Sequence, residues 1–130
     1  GRGFTDWPWM GGALLAPDPF ALVPVWRNFF EDAGLVQFLH RLWGYGLLAF
    51  GGFVWLRARG SAQAATRAAF ALVLAWLGLQ LVLGIVTLIH AAPLALGLLH
   101  QFGAVILWVL ILRARFLARY PRVQTIRGSK

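Results

Sequence analysis

Cysteine is absent from the 130 residues, which excludes disulfides, thiolate metal sites and cysteine nucleophiles. Charge is scarce as well: 12% of residues are charged and 60% are hydrophobic, far from the roughly one-quarter charged residues of soluble domains. Acids are scarcer still, and all four (Asp6, Asp18, Glu31, Asp32) fall in the first 34 residues. No glycine-rich phosphate loop is present, since AFGGFVW lies inside an apolar run and follows no strand. Ser61 and Ser129 sit in basic stretches without a histidine beside them, so a serine-histidine catalytic pair is unsupported. The chain begins at Gly1, and GRGFTDWPWMGG lacks the basic-then-apolar layout of a signal peptide. It therefore reads as a piece of a longer protein.

The net charge of +8 would raise nucleic acid as a partner only if Lys and Arg covered a folded surface. Here the cations sit in blocks between apolar runs, so nucleic acid is excluded and the blocks read as topology signals. Three runs, 35–56, 68–89 and 94–112, are long enough to cross a bilayer core of about 30 Å at about 1.5 Å per residue. Arg57, Arg59 and Arg67 flank the first connection, and Arg113, Arg115, Arg119, Arg122, Arg127 and Lys130 follow the third run with no acid among them. That end is expected in the cytoplasm, with residues 1–34 and the HAAP turn on the opposite face. The sequence thus predicts an all-α integral membrane bundle: an outer loop over 1–34, a three-span region over 35–116 and a basic tail over 117–130. Pro, Gly and Trp in DWPWMGG, APDPF and VPVW suggest that the loop is ordered at the interface. Three spans suggest an incomplete four-helix unit, with a further span before residue 1.

Ionisable groups inside spans are rare and are functional candidates. His40 and His100 each lie five or six residues from the outer end of their runs, on the order of 8 Å down. Two imidazoles at one level on two helices can hold a haem. Gly44 follows His40 at i+4, and Gly97 and Gly103 flank His100 at i−3 and i+3, which leaves room for a flat ligand. The alternatives are glycines that merely let helices approach and histidines that bond neighbouring helices. Arg41 can reach the interface to meet haem propionates, or can pair with Glu31, Asp32 or lipid phosphate. His90, at a wet helix end, reads as a surface residue. A zinc or copper cage is a poor reading, because such sites recruit further ligands.

FTDWPWMGG, NFFEDAGLVQFLHR and QLVLGIVTLIHAAPLALGLLHQFGA together resemble the C-terminal half of haem A synthases of the alphaproteobacterial and mitochondrial type. The resemblance implies eight spans in two four-helix halves, each with a histidine pair. It implies an oxidoreductase that converts the C8 methyl of haem O to the formyl of haem A for cytochrome oxidase. Its N-terminal half takes the substrate, and its C-terminal half holds haem b. His40 (QFLHR) and His100 (LLHQ) would be the axial ligands, with Arg41, Gly44 and Gly103 around the cofactor and Glu31 a catalytic contributor near it. The chain departs from the family pattern at WPWMGG, where WPLMDG is expected and Gly11 replaces the Asp, and at FED, where FEN is expected. The family does not require a histidine at position 90. By resemblance the missing half would bring haem O, a haem O synthase and an electron donor would be partners of the whole, and this fragment alone would be inactive. The setting would be the cell inner membrane with the haem toward the periplasm, or the mitochondrial inner membrane. Rival readings are a b561-type electron-transfer cytochrome, which would need a second, cytoplasmic histidine pair, and a non-catalytic membrane scaffold or assembly partner.

Overall fold

The computed structural model describes residues 3–121; Arg122, Arg127 and Lys130 of the expected tail lie outside them. It is all-helical among the described residues. A single 3-10 turn at Val25–Arg27 and a short helix α1 (Asn28–Glu31) lead into three 26-residue helices, α2 (Ala33–Ala58), α3 (Ala64–Ile89) and α4 (Leu94–Arg119). Each long helix is about 39 Å at about 1.5 Å per residue, enough for the expected span. Helix outlasts apolarity at the ends of the runs, because Arg is a good helix former and Arg57, Arg113, Arg115 and Arg119 all continue a helix. α4 accordingly reaches three residues into the segment read as a tail.

Local chemistry sets the boundaries. The Asp32 carboxylate accepts the Leu35 N–H at 2.6 Å and so caps α2. α3 ends where Ala91 and Ala92 turn into positive φ (58° and 51°), with their N–H groups closing on Leu88 O and Thr87 O. Pro93 then precedes α4, fixing the backbone ahead of the first helical residue.

α3 and α4 are long and apolar enough to cross a membrane. α2 matches them in length but not in apolarity, since His40, Arg41 and five glycines dilute it. α3 is the centre of the bundle: it packs on α4 along one side and on α2 along another, while the backbones of α2 and α4 do not approach each other. Ala69, Val73 and Leu77 of α3 and Leu107 and Ala114 of α4 form the buried cluster. Four α3 side chains stitch it to α4 by donating to backbone carbonyls: Thr66 to Leu117, Trp76 to Gly103, Gln80 to His100 and Thr87 to Leu96. These pairs run in opposite sequence directions, as antiparallel neighbours must. In hydrocarbon such bonds contribute about 0.6 to 2 kcal/mol each. α2 comes close to α3 at Gly51, where an added Cβ would collide with Leu77. Outward-facing apolar groups such as Trp43, Phe50, Phe53, Phe102 and Trp108 remain exposed, the inverse of a soluble surface and suited to lipid. The chain is a membrane helical bundle.

The leading region is built rather than trailing. Met10 and Asn28 are fully buried; Asn28 accepts the Leu22 N–H and donates to the Leu22 and Val25 carbonyls. Gly11 and Gly12 adopt positive φ, and both N–H groups point to the Asp6 carboxylate.

The Gly51 contact gives a paired test. Gly51→Val should separate α2 from α3 and lower the denaturation midpoint in detergent, at a cost of about 1 to 3 kcal/mol for overpacking. Gly52→Val, next in sequence with nothing within 4 Å of an added Cβ, should change it little; equal midpoints for the two variants would refute the packing described.

Candidate functional site

His40 on α2 and His100 on α4 occupy corresponding levels of their helices, and their rings meet. The ring centroids are 6.2 Å apart with planes at 81°. The two rings stand in a partly open cavity of about 840 Å³ lined by α2, α3, α4 and part of the leading region, within the range of about 300–1,000 Å³ for cofactor pockets. Its walls are mostly apolar, including Leu47, Leu81, Ile85 and Leu107. Gly44 and Gly97 line it, and a Cβ at either would meet nothing within 4 Å. At Gly84 of α3 the reverse holds: a Cβ there would stand 3.1 Å from His100 Cε1, so glycine lets the ring rest against α3 without being pushed away. His100 is half-buried, and its Nδ1 is enclosed without a hydrogen-bond partner. His40 is exposed toward the cavity.

The remaining sequence candidates divide. Arg41 lines the cavity, but it pairs with neither Glu31 nor Asp32. Its Nη1 donates to the carbonyls of Pro8 and Trp9 (3.2 and 2.9 Å), and its Nη2 donates to that of Asp6 (3.2 Å). Glu31 also lines the cavity and is engaged by Arg27, whose Nε donates to Oε1 at 3.0 Å. Gly103 does not line the cavity: the volume beside it is filled by the Gln80 side chain, the close-approach role open to it from the start. Open space lies beside Gly44 and Gly97, whereas the space beside Gly84 is taken by the His100 ring. His90 is exposed, with Nδ1 against the Val86 carbonyl at 2.8 Å.

Sequence reasoning missed Gln80, Gly84 and Thr87. They recur at i, i+4 and i+7 in an otherwise apolar run, a small and polar stripe that could have marked the face of α3 turned to α4. Trp7, which lines the cavity from the leading region, carries no such signal.

The donor set suits an imidazole pair and no larger cage, since among the described residues no three His, Cys, Asp or Glu side chains gather as a metal cluster. Metal–imidazole bonds of about 2 Å put the centroids of two rings on opposite sides of one metal on the order of 6 Å apart. The observed spacing, the enclosed Nδ1 and the glycine-lined gap fit a bis-histidine haem.

Residues 1–112 match the family model of the cytochrome oxidase assembly protein COX15-CtaA. The chain belongs to this family. Its relatives include the heme A synthases of Ruegeria sp. strain TM1040 (57% identical over 128 residues), Ruegeria pomeroyi (59% over 128) and Paracoccus denitrificans (49% over 129). Each alignment covers 98–99% of this chain and 34% of the relative, so the chain spans about a third of the length of these members of the family. No solved structure matches it. The family match covers all of α2 and α3 and most of α4, including both histidines.

Glu31 supplies a pH test. Hydrogen bonding and charge from Arg27 hold its carboxyl below the usual range, and Arg27 is raised in return. Because the folded value is depressed, the pair should persist as pH falls past the ordinary glutamate value and break only below it. Arg27→Gln should move the Glu31 titration, followed by carboxyl carbon NMR, up toward the ordinary value; an unmoved midpoint would reject the ion pair as its cause.

Proposed function

We propose that this chain is the haem b-binding, C-terminal part of a haem A synthase, with His40 and His100 as the two axial ligands. One observation carries the reading. Two imidazoles on helices whose backbones do not meet come together in a glycine-lined apolar cavity, their ring centroids at the spacing a shared metal requires. The names of the relatives point the same way.

In this reading His40 and His100 set the ligand field, and Gly84 fixes the His100 ring against α3 so that its orientation is determined by packing. Leu47, Leu81 and Leu107 exclude water. Arg41, a cation on the cavity wall without an acidic partner, offers its charge to the propionates of the cofactor. Glu31, at the rim, contributes near the outer edge. A haem held there supplies one-electron redox chemistry whose potential follows ligand orientation and burial.

The whole enzyme would oxidise the C8 methyl of haem O to the formyl of haem A for cytochrome oxidase assembly. The substrate would be bound by the half not represented here, with a haem O synthase and an electron donor as partners. The arginine-rich ends of α2 and α4 are read as cytoplasmic. Residues 1–34 and the haem are read as periplasmic in an inner membrane.

Absorbance tests this directly. The protein should show reduced low-spin haem bands that vanish in either His40→Ala or His100→Ala, whereas bands that survive both substitutions would reject ligation and leave the scaffold reading. A second expectation follows from Gly84: Gly84→Val should weaken haem retention by about tenfold or more, as misplacement of a supported ligand does. Gly78→Val, on the same helix with nothing within 4 Å of an added Cβ, should retain haem normally.

A further inference from the structure

The leading region and α2 share a set of contacts that the haem reading does not use. Phe4 and Ala16 both press on Gly34, the Phe4 carbonyl accepts the Gln37 Nε2–H at 2.6 Å, three carbonyls of residues 6–9 accept from Arg41, and Trp7 Nε1 donates to Tyr45 Oη at 2.8 Å. Positions 34, 37, 41 and 45 are one helical stripe. It lies beside the stripe of His40, Gly44 and Leu47 that lines the cavity. A docked segment therefore runs along α2 at the edge of the pocket, and Trp7 belongs to the pocket wall.

We propose that residues 4–16 are a strap forming the outer wall of the pocket, and that Arg41 is the positioning residue that clamps it, with Gln37 and Tyr45 as secondary anchors. Only the identity of what the wall encloses rests on the haem reading. A guanidinium suits the task because its planar fork presents several donors in fixed directions. The three carbonyls it holds come from one short stretch, so one side chain fixes the path of the backbone ahead of Met10. They satisfy hydrogen bonds but bring no negative charge, and none of Asp6, Glu31 or Asp32 supplies it: their carboxylates go to Gly11 and Gly12, to Arg27 and to Leu35. The clamp thus stays open to an anionic group in the cavity.

The lack of native cysteine allows a clean test. Met10, 0% exposed, is replaced by Met10→Cys, and its labelling by a membrane-impermeant maleimide is timed in the membrane-embedded chain. Loss of charge-assisted bonds in Arg41→Gln should speed labelling about tenfold or more. Arg41→Lys, which keeps the charge without the fork, should fall between the two. Gln37→Met, a separate anchor, should also speed labelling, and it carries the test if Arg41→Gln lowers the helix content seen by circular dichroism. With haem bound, transfer to apomyoglobin should be faster from Tyr45→Phe, which loses the Trp7 anchor and does not line the cavity, while the low-spin bands keep their positions. Labelling as slow in Arg41→Gln and Gln37→Met as in the parent overturns the strap. Absence of haem bands in the parent overturns the haem reading alone, since labelling does not depend on haem.

Discussion

α2 and α4 lean on α3 and not on each other, and the rest of the structure depends on that arrangement. On α2 the face that carries His40, Gly44 and Leu47 continues to Gly51, where it closes against Leu77 of α3. On α4 the face that carries His100 continues to Gly103, where it closes against Gln80. Two glycine contacts thus bring both outer helices onto α3 below the histidine level. At that level the two rings come to 6.2 Å, centroid to centroid, although the backbones of α2 and α4 do not approach. Had α2 and α4 packed directly, the imidazoles would have been buried in a helix interface with no room for a third group. The cavity follows from the packing of α3, and the histidines inherit their geometry from it.

Polar groups in an apolar bundle show where the design is structural and where it is not. An unsatisfied polar group in hydrocarbon costs several kcal/mol. Thr66, Trp76, Gln80 and Thr87 each donate to a carbonyl of α4, so their burial tightens the α3 to α4 contact. Among the described residues three buried side-chain atoms are left without partners, and all belong to residues that line the cavity: Arg41 Nε, Gln80 Oε1 and His100 Nδ1. Local rules are expected to fail at functional sites. Here the failures gather around one space instead of scattering through the bundle.

The sequence made some of this legible for physical reasons. Three long apolar runs gave three long helices, because hydrophobic length and backbone satisfaction leave a spanning segment little choice. His40 and His100 stood out because an ionisable group in such a run needs a compensating partner. The partner of Arg41 was not legible, since backbone carbonyls of a distant loop leave no mark in side-chain identity. Nor could spacing tell a glycine that leaves space from one that yields it to a neighbour: Gly44 and Gly103 look alike at helical offsets, and only the reach of Gln80 separates them. Gly84 was not legible because the room for His100 is made on α3, a helix that offsets counted along α4 do not reach.

The composition of α2 follows from the number of surfaces it serves. α3 and α4 also border the cavity, but most of their surface is turned to lipid, to each other or, for α3, to α2, and these surfaces accept apolar residues. α2 faces lipid through Trp43, Phe50 and Phe53, the cavity through His40 and Gly44, and the leading region through Gly34, Gln37, Arg41 and Tyr45. The last two surfaces demand polar or small side chains, so a helix of full spanning length falls below the apolarity of its neighbours. Low hydropathy in this run is therefore no argument against a span. It records that the inward half of the helix is given over to a pocket and its wall, and the residues that lower the apolarity are the same ones that build the site.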